Sequence, residues 1–397
     1  MIKEQKIKLP PDLITHIFSL LPINSLLRFQ CVSKSCLALI TDPYLINMSL
    51  DTSRERSLIV ETSSRHRPKD YYLVNFSDEN RLGESTKIYP PFHFQKNLNQ
   101  TSMIGCCNML VCIFKSAYLD PYGYYGSKYD NKIVIWNPSI KKNKKLPNEP
   151  HLDYDKHNQL ITTLGYNPVE LNLAFGFDPV NNDYKVLKIV FARVVKADNW
   201  GLEPPWTAEI MEPLEIMVYS LKAHSWKRVE DQWPYKEESF IWSGPAFSNG
   251  AFYWLVNSAL GSTTLLTFDL TTEKFGLQTF PFESYFNVTL EVLGGLLCVS
   301  KNTHEGVEVW MMEYGVTSNW SRLYTVPMTF PYHRSLAFSE DGEKILMEDN
   351  SRELFWFHIE KKTWYKIIEN ARCPIFNMNW TAPYVESILL IDGDSDN

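Results

Sequence analysis

The stretch "VYSLKAHSWKRV", Val218 to Val229, holds the pattern that decides the fold. An apolar run, a short polar turn and a second run with an aromatic residue follow one another, which is typical of a β-hairpin. Similar units begin at Thr267 ("TFDLTTEKFGLQTF") and at Trp356 ("WFHIEKKTWYKI"). Each unit has two aromatic residues seven positions apart, namely Tyr219 and Trp226, Phe268 and Phe275, and Phe357 and Trp364. The recurrence indicates one hairpin that the chain uses several times.

The hairpins recur at a nearly constant period. A longer copy begins at Met311 and a weaker one at Ile135. The second-strand aromatic residues are spaced 49, 45 and 44 positions apart, and they are Trp226, Phe275, Trp320 and Trp364. A second series, with intervals of 45 and 47, consists of Gly250, Gly295 and Gly342. Four-stranded units at such a period are typical of propeller blades, each of which needs its neighbours to complete its core.

We therefore predict an α+β multidomain chain in which a small helical segment precedes an all-β propeller of about six blades. The blades are expected over residues 56–89, 101–147, 173–229, 241–281, 285–326 and 332–368. The tail "IFNMNWTAPYVESILLI" is expected to add a strand to the first blade and to close the ring. The first blade has the weakest pattern, and rings of five or seven blades stay open as alternatives.

The first 45 residues follow a helical period instead. Leu13, Ile17 and Leu21 recur every four residues, and Pro22 is expected to end that helix. A second helix should follow, and a third should run from Lys34 to Ile40. Helices this short cannot bury all of their apolar side chains among themselves. The excess apolar surface either docks onto the downstream domain or forms a partner site, and the pattern alone leaves both readings open.

The stretch from Leu9 to Leu45, "LPPDLITHIFSLLPINSLLRFQCVSKSCLALITDPYL", resembles an F-box. The similarity is dense, and it includes the opening Leu-Pro-x-Asp-Leu and the central run from Ser25 to Lys34. Two positions depart from the usual pattern. Asn24 stands where a lysine is common, and Cys36 stands where a tryptophan is usual. Because a tryptophan is a large apolar anchor, its replacement could weaken the docking of the third helix or the partner contact.

The F-box resemblance implies that the helices bind the Skp-type adaptor of a cullin–RING ubiquitin ligase, with apolar side chains buried in a groove. By their position in the motif, the residues that would lie in or near this contact are Leu9, Pro10, Leu13, Ile17, Leu21, Pro22, Leu26, Leu27 and Val32. Some of these side chains must instead hold the three helices together. The sequence does not separate the two groups.

The rest of the chain also resembles a known domain. The segments "IVIWNPSIKKNKKLP", "FGFDPVNNDYKVLKI", "EIMVYSLKAHSWKRV" and "YVESILL" are similar to the F-box-associated, kelch-like domain of plant F-box proteins, a group that includes the S-locus F-box proteins. The expected organisation is an F-box over 1–50, a propeller over 51–391 and a disordered acidic tail over 392–397. The resemblance implies a substrate receptor of an SCF-type (Skp–cullin–F-box) ubiquitin ligase, and it does not identify the protein target.

Three long insertions interrupt the repeat, at 116–130, 148–168 and 195–213. The first is rich in tyrosine and glycine, a combination that suits adaptable recognition loops, and the third contains two tryptophans. The candidate target-binding residues are Tyr122, Tyr124, Tyr125, Trp200 and Trp206. We expect at least one insertion to contact the target. The alternative is that the insertions only decorate the ring and pack their aromatic side chains onto it.

The composition is that of a folded protein, with 397 residues, 44% hydrophobic residues and a net charge of −7. A mild acidic balance argues against a general nucleic-acid surface. The chain has no apolar run long enough to span a membrane. Seven cysteines without a CxxC pair favour reduced, intracellular thiols. We therefore expect no nucleic-acid or membrane partner, and a location in the cytoplasm or the nucleus.

Catalytic and metal-binding patterns are missing from the sequence. It has no Gly-x-Ser-x-Gly elbow, no phosphate-binding P-loop and no HExxH. Cys106 and Cys107 would point to opposite faces of a strand, so with Cys112 they predict buried thiols rather than a metal site. The lysine cluster from Lys141 to Lys145 is most simply a solvated turn, and contact with an acidic patch of a target is the alternative.

We expect a non-catalytic protein without a cofactor. Two other hypotheses remain. One is an interaction protein that lacks coupling to a ligase, and its only support is Cys36 at the usual tryptophan position. The other is a propeller enzyme with a helical prefix, against which the missing metal and nucleophile motifs count.

Overall fold

The structure is a computed structural model. It describes residues 10–21, 23–42, 44–45, 57–64, 67–76, 82–91, 99–117, 132–148, 169–195, 208–234, 239–241, 244–258, 263–278, 288–313, 319–327, 332–339, 342–351, 353–367, 378–387 and 389. Within these ranges, three short helices precede a long series of strands. The helices are α1 (Pro11–Ser19), α2 (Ile23–Gln30) and α3 (Lys34–Ile40). We call residues 10–45 the head and the part from residue 57 onward the ring.

The described strands form six antiparallel blades of four strands each, and a short additional strand joins blades 3 and 4 into one nine-stranded sheet. Blade 1 contains β1 (Ser57–Ser64), β2 (Arg67–Phe76) and β3 (Leu82–Ile88). Blade 2 contains β4 (Asn99–Cys107), β5 (Leu110–Ala117), β6 (Lys132–Asn137) and β7 (Lys142–Lys145). Blade 3 contains β8 (Val169–Asp178), β9 (Asp183–Val195), β10 (Ala208–Ser220) and β11 (Ser225–Arg228). The short strand β12 (Ser239–Ile241) pairs with β10 of blade 3 and with the second strand of blade 4.

The second half of the ring repeats this arrangement. Blade 4 contains β13 (Ala246–Ser248), β14 (Ala251–Ser258), β15 (Thr263–Asp269) and β16 (Lys274–Gln278). Blade 5 contains β17 (Val288–Leu293), β18 (Leu296–Asn302), β19 (Gly306–Glu313) and β20 (Asn319–Pro327). Blade 6 contains β21 (Tyr332–Phe338), β22 (Lys344–Asp349), β23 (Leu354–His358) and β24 (Thr363–Lys366). The last strand is β25 (Met378–Tyr384). The prediction of a helical segment followed by a six-bladed propeller is confirmed.

The two ends of the ring sequence meet in blade 1. Strand β25 pairs antiparallel with β1, from Tyr384 opposite Ser57 to Met378 opposite Thr62. It thereby supplies the fourth strand of the blade, as the tail was predicted to do. A ring closed in this way can open only if the β1–β25 backbone hydrogen bonds break, which ties its stability to long-range contacts.

The seven-residue aromatic spacing reflects pairing across a four-residue turn. Tyr219 lies directly opposite Trp226, with 5.3 Å between the ring centroids. Phe268 lies opposite Phe275 at 4.8 Å, and blade 6 pairs the equivalent two aromatic residues. The last residue of each turn has a left-handed backbone, as at Glu273 (φ 55). Such pairs stabilise neighbouring strands, so the sequence repeat is a repeat of cross-strand contacts.

The core of the ring consists of six separate apolar clusters, one between each pair of neighbouring blades. The cluster between blades 3 and 4 is centred on Trp254 and Phe268, both with no exposed side-chain surface. The cluster between blades 6 and 1 closes the circle around Trp356. Each blade therefore depends on both neighbours, as the repeat pattern predicted.

The cysteines of blade 2 face two of these clusters. Cys107 and Cys112 lie in the cluster between blades 2 and 3, whereas Cys106 packs against the cluster between blades 1 and 2. Neighbouring strand positions thus point to opposite faces, as expected. Burial raises the pKa of the Cys106 thiol to about 12, and it also raises the pKa of the other two thiols. These thiols are part of the packing.

The segment "FGFDPVNNDYKVLKI" builds a polar connection between blades 3 and 4. The Asp178 carboxylate accepts hydrogen bonds from the Thr271 hydroxyl and from the Asn181 amide. Lys185 Nζ lies 3.1 Å from Asp178 Oδ2 and 3.2 Å from Glu273 Oε1. Burial opposes ionisation of Asp178, but the hydrogen bonds from Asn181, Thr271 and Lys185 outweigh it and lower the pKa to about 2. These polar residues hold adjacent blades together.

One predicted insertion is partly regular structure. Strands β9 and β10 extend into the range 195–213, where β10 begins at Ala208. Their register is irregular between Ile210 and Glu215, on either side of Pro213. Since proline cannot donate a ladder hydrogen bond, a bulge at this position is expected. Regular strand structure therefore continues into both ends of the predicted insertion.

Candidate partner-binding surfaces

The head and the ring share a small apolar core. Phe18 of α1, Leu26 of α2 and Ile40 of α3 are buried together with Leu45. Met109 of the ring lies in the same cluster with 4% of its surface exposed. Half-buried neighbours from the ring complete the contact, and they are Ile140, Val385 and Leu389. The head is therefore seated on blade 2 and on the segment that follows β25.

Met109 departs from the repeat at the point where the head is seated. It is the second residue of the β4–β5 turn and has φ of 72. Gly250 and Gly295 occupy the same turn position in blades 4 and 5, with φ of 76 and 82. A non-glycine residue in this conformation carries backbone strain, of about 1 kcal/mol. The apolar contact with the head offsets that strain.

Ile140 marks the same site in a second turn. It is the third residue of the β6–β7 turn, and it packs against the head core. The equivalent residues of other blades are polar or small, and they are Ala223, Thr272 and Lys361. Met109 and Ile140 were missed at the level of sequence. The signal that could have found them is an apolar residue at one turn position where blades 4 and 5 have glycine, and at another where blades 3, 4 and 6 have a small or polar residue.

The chain after β25 runs over blade 2 beneath the head. The Asn137 side-chain amide donates hydrogen bonds to the carbonyl oxygens of Ser387 and Leu389, at 3.0 and 3.1 Å. The hydroxyl groups of Ser139 and Tyr384 lie 2.7 Å apart. Val385 and Leu389 are thereby held against the head core. The closing strand and the head are coupled through this segment.

The outer surface of the head is apolar and uncovered. Its large apolar side chains with substantial exposure are Leu13, Ile17, Leu20, Phe29, Val32, Leu37 and Tyr44. In the described part of the much larger ring, the corresponding residues are Tyr89, Val180, Leu277 and Tyr365. Exposed apolar side chains that are scattered singly are ordinary, whereas a concentration on one small element marks an interaction surface.

The structure divides the residues predicted from the F-box motif into two groups. Leu13, Ile17 and Val32 are 44%, 41% and 67% exposed, and Pro10 is also exposed. Leu26 is fully buried in the head core. Leu21 and Leu27 are half-buried against that core, and Leu9 and Pro22 lie outside the described residues. The first group is available to a partner, while Leu26 mainly holds the head together.

Leu20 extends the exposed row beyond the predicted set. It is the C-cap residue of α1 and is 61% exposed, and with Leu13 and Ile17 it forms an i, i+4, i+7 row. The motif predicted Leu21 instead, which is the next residue along the chain and packs inward against the head core. Cys36, at the usual tryptophan position, is half-buried at the edge of the head core, and its backbone N–H is bonded to the Ser33 cap at 3.0 Å.

The ring has two distinct faces. Successive connections in an antiparallel blade alternate between its two ends. The head face carries the turns between the first and second strands and between the third and fourth, including 108–109 and 138–141. The far face carries the connections between the two middle strands and those between blades.

The three long insertions arise from the far face, opposite the head. The strand ends that flank them are Ala117 and Lys132, Lys145 and Val169, and Val195 and Ala208. The predicted target-binding residues Tyr122, Tyr124, Tyr125, Trp200 and Trp206 lie outside the described residues. Blade topology therefore places the strand ends that flank these segments on the face opposite the head.

The described residues contain neither a metal-binding cluster nor a membrane-spanning helix. No group of three or more His, Cys, Asp or Glu side chains among them is arranged to hold a metal ion. None of their helices is long and apolar enough to cross a membrane.

Both parts of the chain, the head and the ring, match known domain families. Residues 7–47 match the model of the F-box domain, and residues 64–390 match that of the F-box associated beta propeller domain. The F-box protein CPR1 of Arabidopsis thaliana is 27% identical, over 98% of this chain and 91% of its own length. F-box/kelch-repeat protein At3g23880 of the same plant is 26% identical, over 86% of each chain. The chain therefore belongs to the family of F-box proteins that carry an F-box-associated β-propeller.

Proposed function

We propose that this protein is the substrate-recognition subunit of an SCF-type ubiquitin ligase. The head binds a Skp-type adaptor, the far face of the ring holds a protein target, and the partner enzymes carry out ubiquitin transfer. The chain itself performs no chemistry. The observation that carries this proposal is the concentration of uncovered apolar side chains on the head, beside a ring that buries most of its own between blades.

The exposed row supplies enough apolar surface for a specific contact. Complete burial of a leucine or isoleucine side chain contributes about 1.5–3 kcal/mol. Leu13, Ile17, Leu20 and Val32 are already between 41% and 67% exposed, so each could contribute roughly half of that amount on binding. The free-energy cost of association is exceeded only by the combined contribution of several such side chains buried in one groove. This requirement favours one preorganised partner over non-specific contact.

Seating of the head on the ring gives the proposed receptor its geometry. The contacts of Met109, Ile140 and Leu389 hold the head on one face, and the insertions arise from the other. A target on the far face would then be presented at a fixed distance and orientation from the adaptor. Such positioning raises the effective concentration of the target at the partner enzyme without any new chemistry.

The adaptor contact is tested with the double variant Leu13→Asp, Val32→Asp. Both side chains are exposed, so the head should stay folded, whereas two carboxylates facing an apolar groove should abolish binding of a purified Skp-type adaptor. Leu27 is avoided because it packs against the head core. The matched control is Val180→Asp, Leu277→Asp, which places the same substitutions at exposed apolar positions on the ring.

The readout is adaptor affinity measured by calorimetry, with thermal unfolding as the folding check. Unchanged affinity in the head variant would refute the assigned surface. Failure of the unmodified protein to bind any adaptor would instead favour an interaction protein without ligase coupling.

The target side is tested by affinity purification with the proteasome blocked. Alanine at all five predicted positions, Tyr122, Tyr124, Tyr125, Trp200 and Trp206, should remove the co-purifying target while the adaptor is retained. Deletion of residues 1–50 should have the opposite effect. Retention of the same target by the alanine variant would move the target site away from these insertions. We place this activity in the cytoplasm or nucleus, because a reducing compartment suits unpaired thiols such as Cys31.

A further inference from the structure

A strip of positive charge lies on the outer edge of blades 2 and 3. We define the basic strip by Lys141, Lys142, Lys145, Lys222 and Arg228, all of which are exposed. Neither 132–148 nor 221–229 contains an aspartate or glutamate, although the whole chain has a net charge of −7. The strip is therefore a local reversal of the protein's charge.

Contacts between the two blades assemble the strip from distant parts of the sequence. Strands β7 and β11 are the outermost strands of their blades. Lys144 Nζ lies 2.6 Å from His224 Nδ1, and Trp226 Nε1 donates a hydrogen bond to the Pro147 carbonyl oxygen at 2.9 Å. The two edges are thus held side by side, and their cations form one surface.

Four cations of the strip lack the ion pairs that cations on the outer strands of blades 5 and 6 form. Lys366 pairs with Glu353 at 2.6 Å, and Arg322 pairs with Glu308 at 3.2 Å. By contrast, Lys141, Lys142, Lys145 and Arg228 form no ion pair within the part of the chain that the structure describes. Unneutralised cations in a group raise the local potential and attract an acidic surface.

The strip begins where the head is seated. Ile140 packs against the head core, and Lys141 is the next residue. Leu389 contacts both the head core and the cluster between blades 2 and 3. A partner on the head that reaches beyond its three short helices on the side of Ile140 would meet this edge of the ring.

We propose that the basic strip is a second contact site for the Skp-type adaptor, and that it binds an acidic surface of that adaptor. This inference rests on the proposed function. A nucleic acid is the less suitable occupant, because a long polyanion would extend past the strip, beyond Glu230 and beyond Glu273 beside Lys227, onto a chain of net charge −7.

Exposed charges at the rim of an interface act mainly on the association rate. They attract the partner over about one Debye length, which is roughly 10 Å at 0.1 M salt. They contribute little to holding the complex together, because exposed ion pairs are weak. The strip should therefore speed adaptor association and make it sensitive to salt, while dissociation changes little.

The test uses the full chain with Lys142→Glu and Lys145→Glu. Both residues are exposed on an edge strand and have ordinary backbone conformations, so folding should be unaffected. The matched control is Lys274→Glu with Lys361→Glu, which makes the same charge change on blades 4 and 6. Association and dissociation rates of a purified adaptor are measured for each protein at about 50 mM and about 500 mM salt.

The expected result is an association rate about tenfold lower for the strip variant at low salt. This deficit should shrink at high salt, the dissociation rate should be nearly unchanged, and the control should behave as the unmodified protein does. Equal association rates for the strip variant and the control would overturn the inference while adaptor binding through the head stood. If the unmodified protein does not bind the adaptor, the proposed function fails, and this inference fails with it.

Two further arms separate other occupants of the strip. Deletion of 390–397 removes Asp392, Asp394 and Asp396, and it should leave the association rate unchanged. The deletion is made both in the protein with the natural strip and in the strip variant. If it raised the association rate only where the strip is intact, the strip would be assigned to the chain's own acidic tail, and the inference would be overturned. Binding of a DNA duplex at physiological salt that the strip substitutions abolish, with adaptor kinetics unchanged, would overturn it in favour of nucleic acid.

Discussion

The ring and the head are both rich in apolar residues, but they dispose of them in opposite ways. In the ring, Trp254, Phe268 and Trp356 are completely buried between blades. In the head, Leu13 and Val32 stay in contact with solvent. A closed ring gives every blade two neighbours, whereas three short helices on one face of it have a neighbour on one side only. Exposure of apolar surface in this protein therefore follows from architecture and not from composition.

The buried clusters of the ring are tested by Trp254→Ala, for which the largest loss of stability is expected. The indole fills the cluster between blades 3 and 4, and its N–H donates to the Asn172 side chain at 3.1 Å. Loss of a buried tryptophan should lower the free energy of unfolding by about 3–5 kcal/mol. Urea unfolding measures this change in the free energy of unfolding, and Tyr365→Ala at an exposed position of blade 6 is the control. A loss comparable to that of the control would mean that the clusters are not what stabilises the ring.

The junction of the two regions is tested by Met109→Asp. A carboxylate in the shared apolar core should weaken seating of the head by about 2–3 kcal/mol and leave the unfolding of the ring unchanged. Limited proteolysis should then cleave more readily between residues 45 and 57. Asn108→Asp, at the exposed neighbouring turn position, is the matched control. Equal protease resistance of the two variants would show that the head is held by other contacts.

The polar connection between blades 3 and 4 is tested by Asp178→Asn. The folded-state pKa of about 2 lies below the ordinary value, so the ionised carboxylate stabilises the folded protein. The variant should be less stable by about 2 kcal/mol at pH 7. Because the contribution is present above the unfolded pKa and is lost as the pH falls through about 2, the two proteins should converge between about pH 4 and pH 2.

Thermal unfolding as a function of pH measures this difference. Asp70→Asn, which removes an exposed pair with Lys87, is the control and should have little effect at any pH. A constant difference between Asp178→Asn and the unmodified protein down to pH 2 would contradict the assigned role of the charge.

The exposed apolar surface of the head is tested by Leu20→Ala, for which the smallest effect on stability is expected. The side chain is 61% exposed, so the free energy of unfolding should change by less than about 0.5 kcal/mol. Adaptor affinity should nevertheless fall severalfold, because Leu20 continues the row of Leu13 and Ile17. Leu277→Ala on the ring is the control. Unchanged affinity would limit the partner surface to the residues of the motif.

Much of the fold could be predicted because its signals are local. The seven-residue aromatic pairs and the turn glycines each depend on one hairpin, so Phe268 with Phe275 and Gly250 with Gly295 are readable from sequence alone. The site was only partly predictable. The motif named Leu13 and Leu26 together, yet the first is exposed and the second is sealed. Their difference depends on where the neighbouring helices and the ring lie, and helical period does not contain that information.

The blade repeat, the strand that closes the ring and the position of the F-box could all be predicted from the sequence, because each is carried by a pattern of residues close together in the chain or by a dense motif. Only the tertiary structure decided that the head is seated on Met109 and Ile140, and that Lys144 and His224 meet across 80 positions of sequence. These contacts join segments that carry no common local pattern. Their physical cause is the closure of the ring, which sets distant turns side by side on one face and leaves the outer side of the head without a neighbour.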